Sequence, residues 1–219
     1  MLQILTIVTL LFTPLTGPIS QGAPEPKTIS IAEARSLPLG TIVTIDGSVT
    51  VPSGAFSSST FDQGFAIQDR SGGIYVSTPD NLGFTTRQQV RVTGRLADTV
   101  LPGLLVLVDV TEVKAHGRGP KVRPLPVATG DVGENTEGQL VTITGTITQP
   151  IINDLPFGFI VFINDGSGEV HGFVCASTGI DVSGLAPGQT VEITGFSGEF
   201  AGSFEVDPRF QEDIRIVSD

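Results

Sequence analysis

The chain has 219 residues, enough for one large or two small cores, and its 27 glycines and 15 prolines interrupt short runs rich in Val, Ile, Thr and Phe. Because no apolar pattern of period 3.6 persists beyond two turns, long helices are excluded and an all-β fold is predicted. The net charge of −11 argues against a nucleic-acid ligand, but the average conceals an asymmetry. Residues 1–126 carry 10 Lys and Arg against 9 acids, whereas residues 127–219 carry 2 against 14.

The N-terminus has the outline of a signal peptide. An apolar stretch from Ile4 to Leu15 is too short to span a bilayer comfortably, and small residues and prolines follow it. We expect cleavage near Gly22 or Ala23, so residues 1–23 form a leader. The prediction is a secreted or periplasmic protein with no stable membrane insertion after cleavage. An uncleaved anchor is the alternative, because the segment before the apolar stretch carries no Lys or Arg.

A capping box opens the first unit, which we place at residues 28–116. Ser30 and Glu33 predict a short helix over residues 32–36. Alternating apolar residues then predict five strands, the first of which contains Gly47, a residue that favours a bulge or a sharp bend. The strands are Thr41–Val51, the two arms of a hairpin within Gly64–Val76, Gln89–Leu96 and Gly103–Lys114.

The hairpin segment recurs in the second half of the chain. GFAIQDRSGGIYV, at Gly64–Val76, matches VFINDGSGEVHG at Val161–Gly172, 96 residues later. The first strand with its glycine matches Gly138–Ile147 at an offset of 98, and QVRVTG matches TVEITG, at Thr190–Gly195, at an offset of 101. An offset that changes only by loop insertions indicates that the chain contains a tandem duplication of one domain. We place the second unit at residues 127–217.

The units are joined by a basic segment. Lys114–Pro124, KAHGRGPKVRP, mixes four cationic residues with Gly and Pro. This composition predicts a flexible linker, which we place at residues 117–126.

The single cysteine, Cys175, excludes an intrachain disulfide and a cysteine-based metal cluster. No Lys or Arg lies nearby in sequence to favour a reactive thiolate. We interpret it as a small, partly buried apolar residue at the end of a strand.

A bent first strand, a tight second-to-third hairpin and a long connector before the fourth strand predict a small closed Greek-key barrel in each unit, with a sandwich as the alternative. The segments LGTIVTIDGSVTVP, GFAIQDRSGGIYV and QVRVTGRL resemble the OB-fold domains of secreted bacterial proteins, particularly those that accompany extracellular nucleases and phosphoesterases. The resemblance covers residues 28–217. The expected architecture is therefore all-β, with two tandem five-stranded Greek-key barrels (OB-folds) joined by a short basic linker.

The resemblance implies a nucleic-acid-binding ancestry, with the ligand lying over the second and third strands and held by the loops after the first and fourth strands. Nuclease chemistry is not implied. The corresponding loops are Pro52–Gln63 and Ala97–Pro102 in the first unit, and Pro150–Phe157 and Gly198–Gly202 in the second.

The first unit offers a candidate nucleic-acid site. Strand alternation places Gln68 and Tyr75 on the outer face of the hairpin and Arg91 and Arg95 outward on the fourth strand. A ring to stack a base and cations along the phosphates are what single-stranded nucleic acid needs. The alternative is that Tyr75 is an ordinary strand residue and the arginines keep the sheet soluble. The candidate residues are Gln68, Tyr75, Arg91, Arg95 and the linker cations Lys114, Arg118, Lys121 and Arg123.

The second unit offers a different surface. Its equivalent face carries Phe162, His171 and Phe173, and Glu192 stands where the first unit has Arg91. Aromatic residues among carboxylates repel phosphate and favour apolar or carbohydrate contacts. We therefore predict that these three residues bind a partner, either an extracellular or envelope protein or a glycan, or else contact the first unit. The alternative is that the rings simply cover one face of the barrel.

The sequence contains no motif that indicates a catalytic or metal-binding site. Asn164–Glu169 gathers oxygen ligands but lacks the D-x-D-x-D-G spacing of a calcium loop, so a turn is predicted there. His116 and His171 have no nucleophile or metal partner that the sequence reveals. We predict a binding protein without catalytic residues, metal or cofactor, whose leading ligand is single-stranded or sequence-unspecific nucleic acid.

Overall fold

The computed structural model describes residues 27–56, 61–99, 101 and 103–218. The predicted leader lies outside these residues. Within them, no helix is both long enough and apolar enough to cross a membrane.

The first half of the chain forms barrel 1. Five strands close it in the order β2, β3, β4, β6, β5, with β5 pairing back onto β2. The β4–β6 pair is parallel and the other four pairs are antiparallel. The elements of this half are β1 (Thr28–Ile29), α1 (Ile31–Arg35), β2 (Ile42–Val51), β3 (Phe65–Gln68), β4 (Gly73–Val76), β5 (Gln88–Asp98) and β6 (Leu105–Arg118).

The second half repeats the plan as barrel 2. Its strands close in the order β8, β10, β11, β13, β12, again with one parallel pair, β11 with β13. The prediction of two closed five-stranded barrels with OB-fold strand order is therefore confirmed. The elements are β7 (Leu125–Pro126), β8 (Leu140–Ile147), β9 (Ile152–Asp154), β10 (Gly158–Asn164), β11 (Glu169–Cys175), β12 (Thr190–Phe200), β13 (Ser203–Asp207) and β14 (Ile214–Ser218), with short 3₁₀ turns at Thr129–Asp131, Ala176–Thr178 and Gln211–Asp213.

The duplication extends to individual side chains. Within barrel 1 the hydroxyls of Thr44 and Thr93 are hydrogen-bonded at 2.8 Å, and the equivalent hydroxyls of Thr142 and Thr194 are hydrogen-bonded at 2.7 Å in barrel 2. Each barrel also has its own apolar core of inward Val, Ile and Leu residues. The repeated sequence pattern therefore corresponds to two separately closed cores.

Gly47 is required by a close approach of two strands. A Cβ atom at this position would lie 3.1 Å from the backbone nitrogen of Gln68 on β3. The equivalent Gly145 faces the backbone of Asn164, where a Cβ would lie 2.8 Å from the carbonyl carbon. A side chain would therefore collide with the neighbouring strand at this position, and the β2–β3 register shifts just beyond it, between Val49 and Val51.

The basic segment is only partly a linker. Strand β6 continues through Lys114 and His116 to Arg118, and Arg118 pairs with Gln88 on β5. The linker that we placed at residues 117–126 is therefore wrong at its start, because residues 117 and 118 belong to β6. The β5–β6 ribbon extends beyond the barrel core, so its outer part is polar on both faces and resembles a loop in composition.

The two barrels are in direct contact. Phe196 of barrel 2 is 2 % exposed and packs into a third apolar cluster, whose remaining buried members all come from barrel 1. The backbones of Gly73 and Gly138 approach so closely that a Cβ on either residue would overlap the carbonyl of the other. The barrels therefore share a packed interface in addition to the connecting chain.

Candidate functional site

The predicted stacking platform of barrel 1 is covered by barrel 2. Tyr75 lies outside the barrel-1 core, as strand alternation predicts, but its side chain is only 2 % exposed and its ring lies 6.1 Å from that of Phe196. The Gln68 side chain accepts a hydrogen bond from the backbone N–H of Leu140 at 2.9 Å. The prediction that Tyr75 is available to stack a base is therefore wrong, because the outer face of the hairpin is the surface on which the second barrel packs.

Polar contacts surround this interface. Arg35, at the end of α1, is 2.7 Å from Glu137, whose carboxylate also accepts the Leu105 N–H at 3.3 Å. On another side, Arg209 donates to the carbonyl of Thr50 at 2.8 Å. Burial raises the pKa of Glu137, while the bonds to Arg35 oppose that shift. The contact therefore contains both an apolar cluster and a largely buried ion pair.

Three of the predicted phosphate-binding cations are paired with acids. Arg95 makes two hydrogen bonds to Asp109, at 2.6 and 2.8 Å, and Lys114 lies 2.6 Å from Glu112. Arg91 lies 3.5 Å from Asp46. Their positive charge is offset locally, so a phosphate would compete with a carboxylate at each position.

The remaining predicted cations are Arg118, Lys121 and Arg123, here called the basic edge. All three are exposed, at the end of β6 and along the connection to barrel 2. Within the described part of the chain, none of them forms an ion pair with an acid. The basic edge is therefore the uncompensated positive surface among the predicted binding residues.

The aromatic residues predicted in barrel 2 lie on one face of its hairpin. Phe162 and His171 are paired across β10 and β11, with ring centroids 6.0 Å apart, and both are half-buried. His171 also lies 3.1 Å from Glu205 on the neighbouring β13. Phe173 follows on the same face and leads to Cys175, which packs at the edge of the inter-barrel cluster.

Phe162 and His171 line an open cleft of about 280 Å³, here called the barrel-2 cleft. Its walls are formed by the β10–β11 hairpin, the 3₁₀ turn at Thr129–Asp131 and the start of β13. Phe204 adds a second ring, and Ser203 and Glu169 add hydroxyl and carboxylate groups. The Glu169 carboxylate is held in place by Thr148 at 2.5 Å and Gln149 at 3.1 Å. Phe173 does not line this cleft.

A second hollow, the inter-barrel cavity, lies where β12 and β13 meet barrel 1. Its lining includes Tyr75, Phe196 and the carboxylates of Glu199, Glu205 and Asp207. Burial raises the pKa of Asp207 well above its usual range, and the neighbouring Glu205 adds to the shift. Burial also raises the pKa of Glu199, with Glu134 and Asp98 as further causes. The cavity is acidic and partly aromatic.

One group of acids has a spacing that could hold a cation. Glu134, Glu137 and Glu199 each place a carboxylate oxygen within 4.8 Å of the others. Glu137 is already bound by Arg35, which neutralises part of the group.

The turn at Asn164–Glu169 is a hairpin turn, as the sequence predicts.

Sequence reasoning missed Phe196, Glu205 and Asp207. A signal for Phe196 was present, since it follows TVEITG where the first unit has Arg95 after QVRVTG. The loop predicted at Gly198–Gly202 is in fact shortened to Ala201 and Gly202, because β12 continues to Phe200. The extra strand length brings Glu199 and Phe200 to the inter-barrel cavity.

The sequence matches no protein-family model and no curated protein sequence. Among solved structures, the hypothetical protein ygiW from E. coli is similar over 43 % of this chain and 99 % of that chain, with 22 % identity and a TM-score of 0.33. A murine DNA-binding protein bound with double-stranded DNA is similar over 75 % of this chain and 90 % of that chain, with 10 % identity and a TM-score of 0.39. Fission yeast Pot1, solved with single-stranded DNA, is similar over 90 % of both chains, with 12 % identity and a TM-score of 0.36. The fold assignment rests on the strand pairing, and no ligand follows from these similarities.

Proposed function

We propose that the protein is a secreted, non-catalytic binding module whose barrel-2 cleft binds a sugar unit of a glycan. The observation that carries the proposal is the cleft itself, where Phe162 and His171 lie on the second and third strands of an OB-fold barrel. This is the face on which OB-folds hold oligonucleotides and oligosaccharides. The corresponding face of barrel 1 is occupied by barrel 2.

The lining of the cleft favours a sugar over a nucleotide. Phe162 and Phe204 offer ring faces for the C–H surface of a sugar, and Glu169, His171 and Ser203 offer hydrogen-bonding groups for its hydroxyls. The second half of the chain carries 2 Lys and Arg against 14 acids, a charge that repels phosphate. The volume of about 280 Å³ is at the lower end of small-ligand pockets, so we expect one sugar unit to enter it.

Affinity electrophoresis through gels containing soluble polysaccharides would test the proposal. We expect at least one bacterial cell-surface polysaccharide to retard the protein, and Phe162→Ala to abolish that retardation. Phe157→Ala is the matched control, because Phe157 is an aromatic residue of the same barrel that is 52 % exposed and lies outside the cleft. Retardation that survives Phe162→Ala, or none with any polysaccharide, would refute it.

Secretion is a separate part of the proposal. Its support is the apolar segment Ile4–Leu15 followed by small residues. Expression of the full chain in a bacterial host, followed by mass spectrometry of the periplasmic fraction, should find an N-terminus near Gly22 or Ala23. Full-length protein confined to the membrane fraction would support the uncleaved anchor instead.

A second candidate function is weak, sequence-unspecific binding of single-stranded nucleic acid. The basic edge favours it, since Arg118, Lys121 and Arg123 are exposed and lack acidic partners in the described structure. Such a site would act through phosphate charge alone, because Tyr75 cannot stack a base. We therefore expect affinity that falls steeply with salt.

A fluorescence titration with a labelled oligonucleotide at low and moderate salt would test the second candidate. Reversing the basic edge with Arg118→Glu, Lys121→Glu and Arg123→Glu should abolish binding. The matched control reverses Lys27, Arg70 and Arg215 to Glu, which gives the same net charge with the basic edge intact. If both triple variants lose binding equally, only net charge matters and the basic edge is not a site.

A further inference from the structure

The inter-barrel cavity is walled by aromatic rings from both barrels. Phe56 and Tyr75 of barrel 1 face Phe196 of barrel 2, with ring centroids 6.3 and 6.1 Å from that of Phe196. All three are nearly fully buried, whereas Phe200, which also lines the cavity, is 48 % exposed and marks its solvent side. Three aromatic side chains therefore line one small cavity between the barrels.

The carboxylates in this cavity lack a cationic partner from its walls. Asp207 is 8 % exposed, and its Oδ1 is buried without a hydrogen-bond partner. Glu205 is bound by His171 at 3.1 Å, but no Lys, Arg or His lines the cavity among the described residues. A buried carboxyl oxygen without a partner destabilises the fold, so an occupant that supplies positive charge or a hydrogen-bond donor would remove that penalty.

These acids are specific to barrel 2. His171 and Tyr75 occupy matching positions of the repeat, and they pair with Glu205 and Val106 respectively on the neighbouring parallel strand. Two residues further along, Asp207 corresponds to Val108. The fold is therefore compatible with valine at both positions, and the carboxylates are not needed to close the barrel.

We propose that the inter-barrel cavity binds a small organic cation, a methylated ammonium group, with Asp207 as its counter-ion and Phe56, Tyr75 and Phe196 as its aromatic walls. Quaternary and methylated ammonium groups are recognised in this way, by ring faces together with negative charge. The cavity volume of about 50 Å³ has room for about three to five water-sized groups, which matches a trimethylammonium head.

A metal ion fits the cavity less well. Ca²⁺ requires six or more oxygen ligands at about 2.3–2.6 Å, and Mg²⁺ a tight octahedron. Glu199, Glu205 and Asp207 do not converge as a set, since the described group of acids with ligating spacing joins Glu199 to Glu134 and Glu137 instead. Carboxylates that do not converge on one point, in a cavity also lined by aromatic rings, suit a large, weakly hydrated cation better than a metal ion.

Binding in the inter-barrel cavity can be followed by the intrinsic fluorescence of Tyr75. Tyr75 is the only tyrosine, there is no tryptophan, and Tyr75 lines the cavity. Titration of the full chain with trimethylammonium chloride should give a saturable change in tyrosine fluorescence and a rise in Tm. The affinity should increase with pH, because burial raises the pKa of Asp207 and the cation binds its ionised form. Sodium chloride at equal ionic strength, and 2-propanol as a neutral molecule of similar size, should produce neither change.

Variants can distinguish a specific effect of the Asp207 carboxylate from an effect of the protein's net charge. Asp207→Asn should weaken trimethylammonium binding at least about tenfold, and Asp154→Asn, a change at an exposed aspartate, should leave it unaltered. Phe200→Ser provides a second test at an exposed position and should also weaken binding. Phe162→Ala should retain it, which distinguishes this site from the barrel-2 cleft. An absence of saturable fluorescence change, an equal response to 2-propanol, or unchanged affinity in both Asp207→Asn and Phe200→Ser would overturn the proposal.

Discussion

Asp207 is a carboxyl group held in a place where its barrel-1 equivalent is an apolar side chain. Burial raises its pKa, and the neighbouring Glu205 raises it further. The folded protein therefore retains a proton that the unfolded chain releases. Across the interval from the ordinary carboxyl pKa up to the raised value, the free energy of unfolding falls as pH rises, by up to about 1.4 kcal/mol per pH unit. Below that interval the penalty disappears.

Replacement of Asp207 by Asn should remove this pH dependence, because an amide does not ionise. The stability of Asp207→Asn relative to the natural protein should increase as pH rises above the ordinary carboxyl pKa, because only the natural protein then has a buried group that can ionise. Urea unfolding followed by circular dichroism at several pH values would measure it. Asp154→Asn should show no such trend, and a constant difference between Asp207→Asn and the natural protein would contradict the assignment.

At the scale of elements, each hairpin turn holds the short helical segment that precedes the first strand of its barrel. Asp69 accepts the Ile31 N–H at 3.0 Å, and Ser71 accepts the Ala32 N–H at 3.0 Å. In barrel 2, Asp165 accepts both the N–H and the hydroxyl of Thr129, at 3.1 and 2.8 Å. The repeated Asp-x-Ser is therefore a connection between two elements as well as a turn signal.

The hydrogen bonds from Ser167 and then Thr129 lower the pKa of Asp165. The sign is opposite to that of Asp207: the stabilisation is present above the ordinary carboxyl pKa and is lost as pH falls through the lowered value. We expect Asp165→Ala to lower Tm at neutral pH, and the deficit to shrink in acid. A deficit that is constant from about pH 7 to about pH 2 would indicate that packing, not the carboxylate, is responsible.

At the scale of the whole molecule, the two barrels behave as one packed body because Phe196 and Tyr75 are buried between them. We therefore expect a single cooperative unfolding transition. Gly73 is the position at which this contact is most sensitive, since a Cβ there would overlap the backbone carbonyl of Gly138. The atoms that a Cβ at Gly73 would meet are backbone atoms, so no flexible side chain can move to make room for it.

Gly73→Ala should separate the barrels and cost about 1–3 kcal/mol of unfolding free energy. Calorimetry should then resolve two transitions, and small-angle scattering should show a larger radius of gyration. Gly184→Ala is the matched control, because nothing lies within 4 Å of a Cβ at that position. One unshifted transition in Gly73→Ala would show that the close approach does not hold the barrels together.

The two barrels, their strand order and their turns could be predicted from the sequence, because those features depend on local alternation and on glycine at close backbone approaches such as Gly47. These signals are short-range, and they occur twice. Which outward faces are exposed to solvent depends instead on how the two barrels pack against each other. Tyr75 has the pattern of an exposed strand residue, and it is buried against Phe196, a residue 121 positions away whose contact with Tyr75 the sequence pattern does not show. A contact between two closed barrels does not change the apolar periodicity of either barrel. The covered face, the inter-barrel cavity and the unpartnered Asp207 therefore could not be predicted from the sequence pattern.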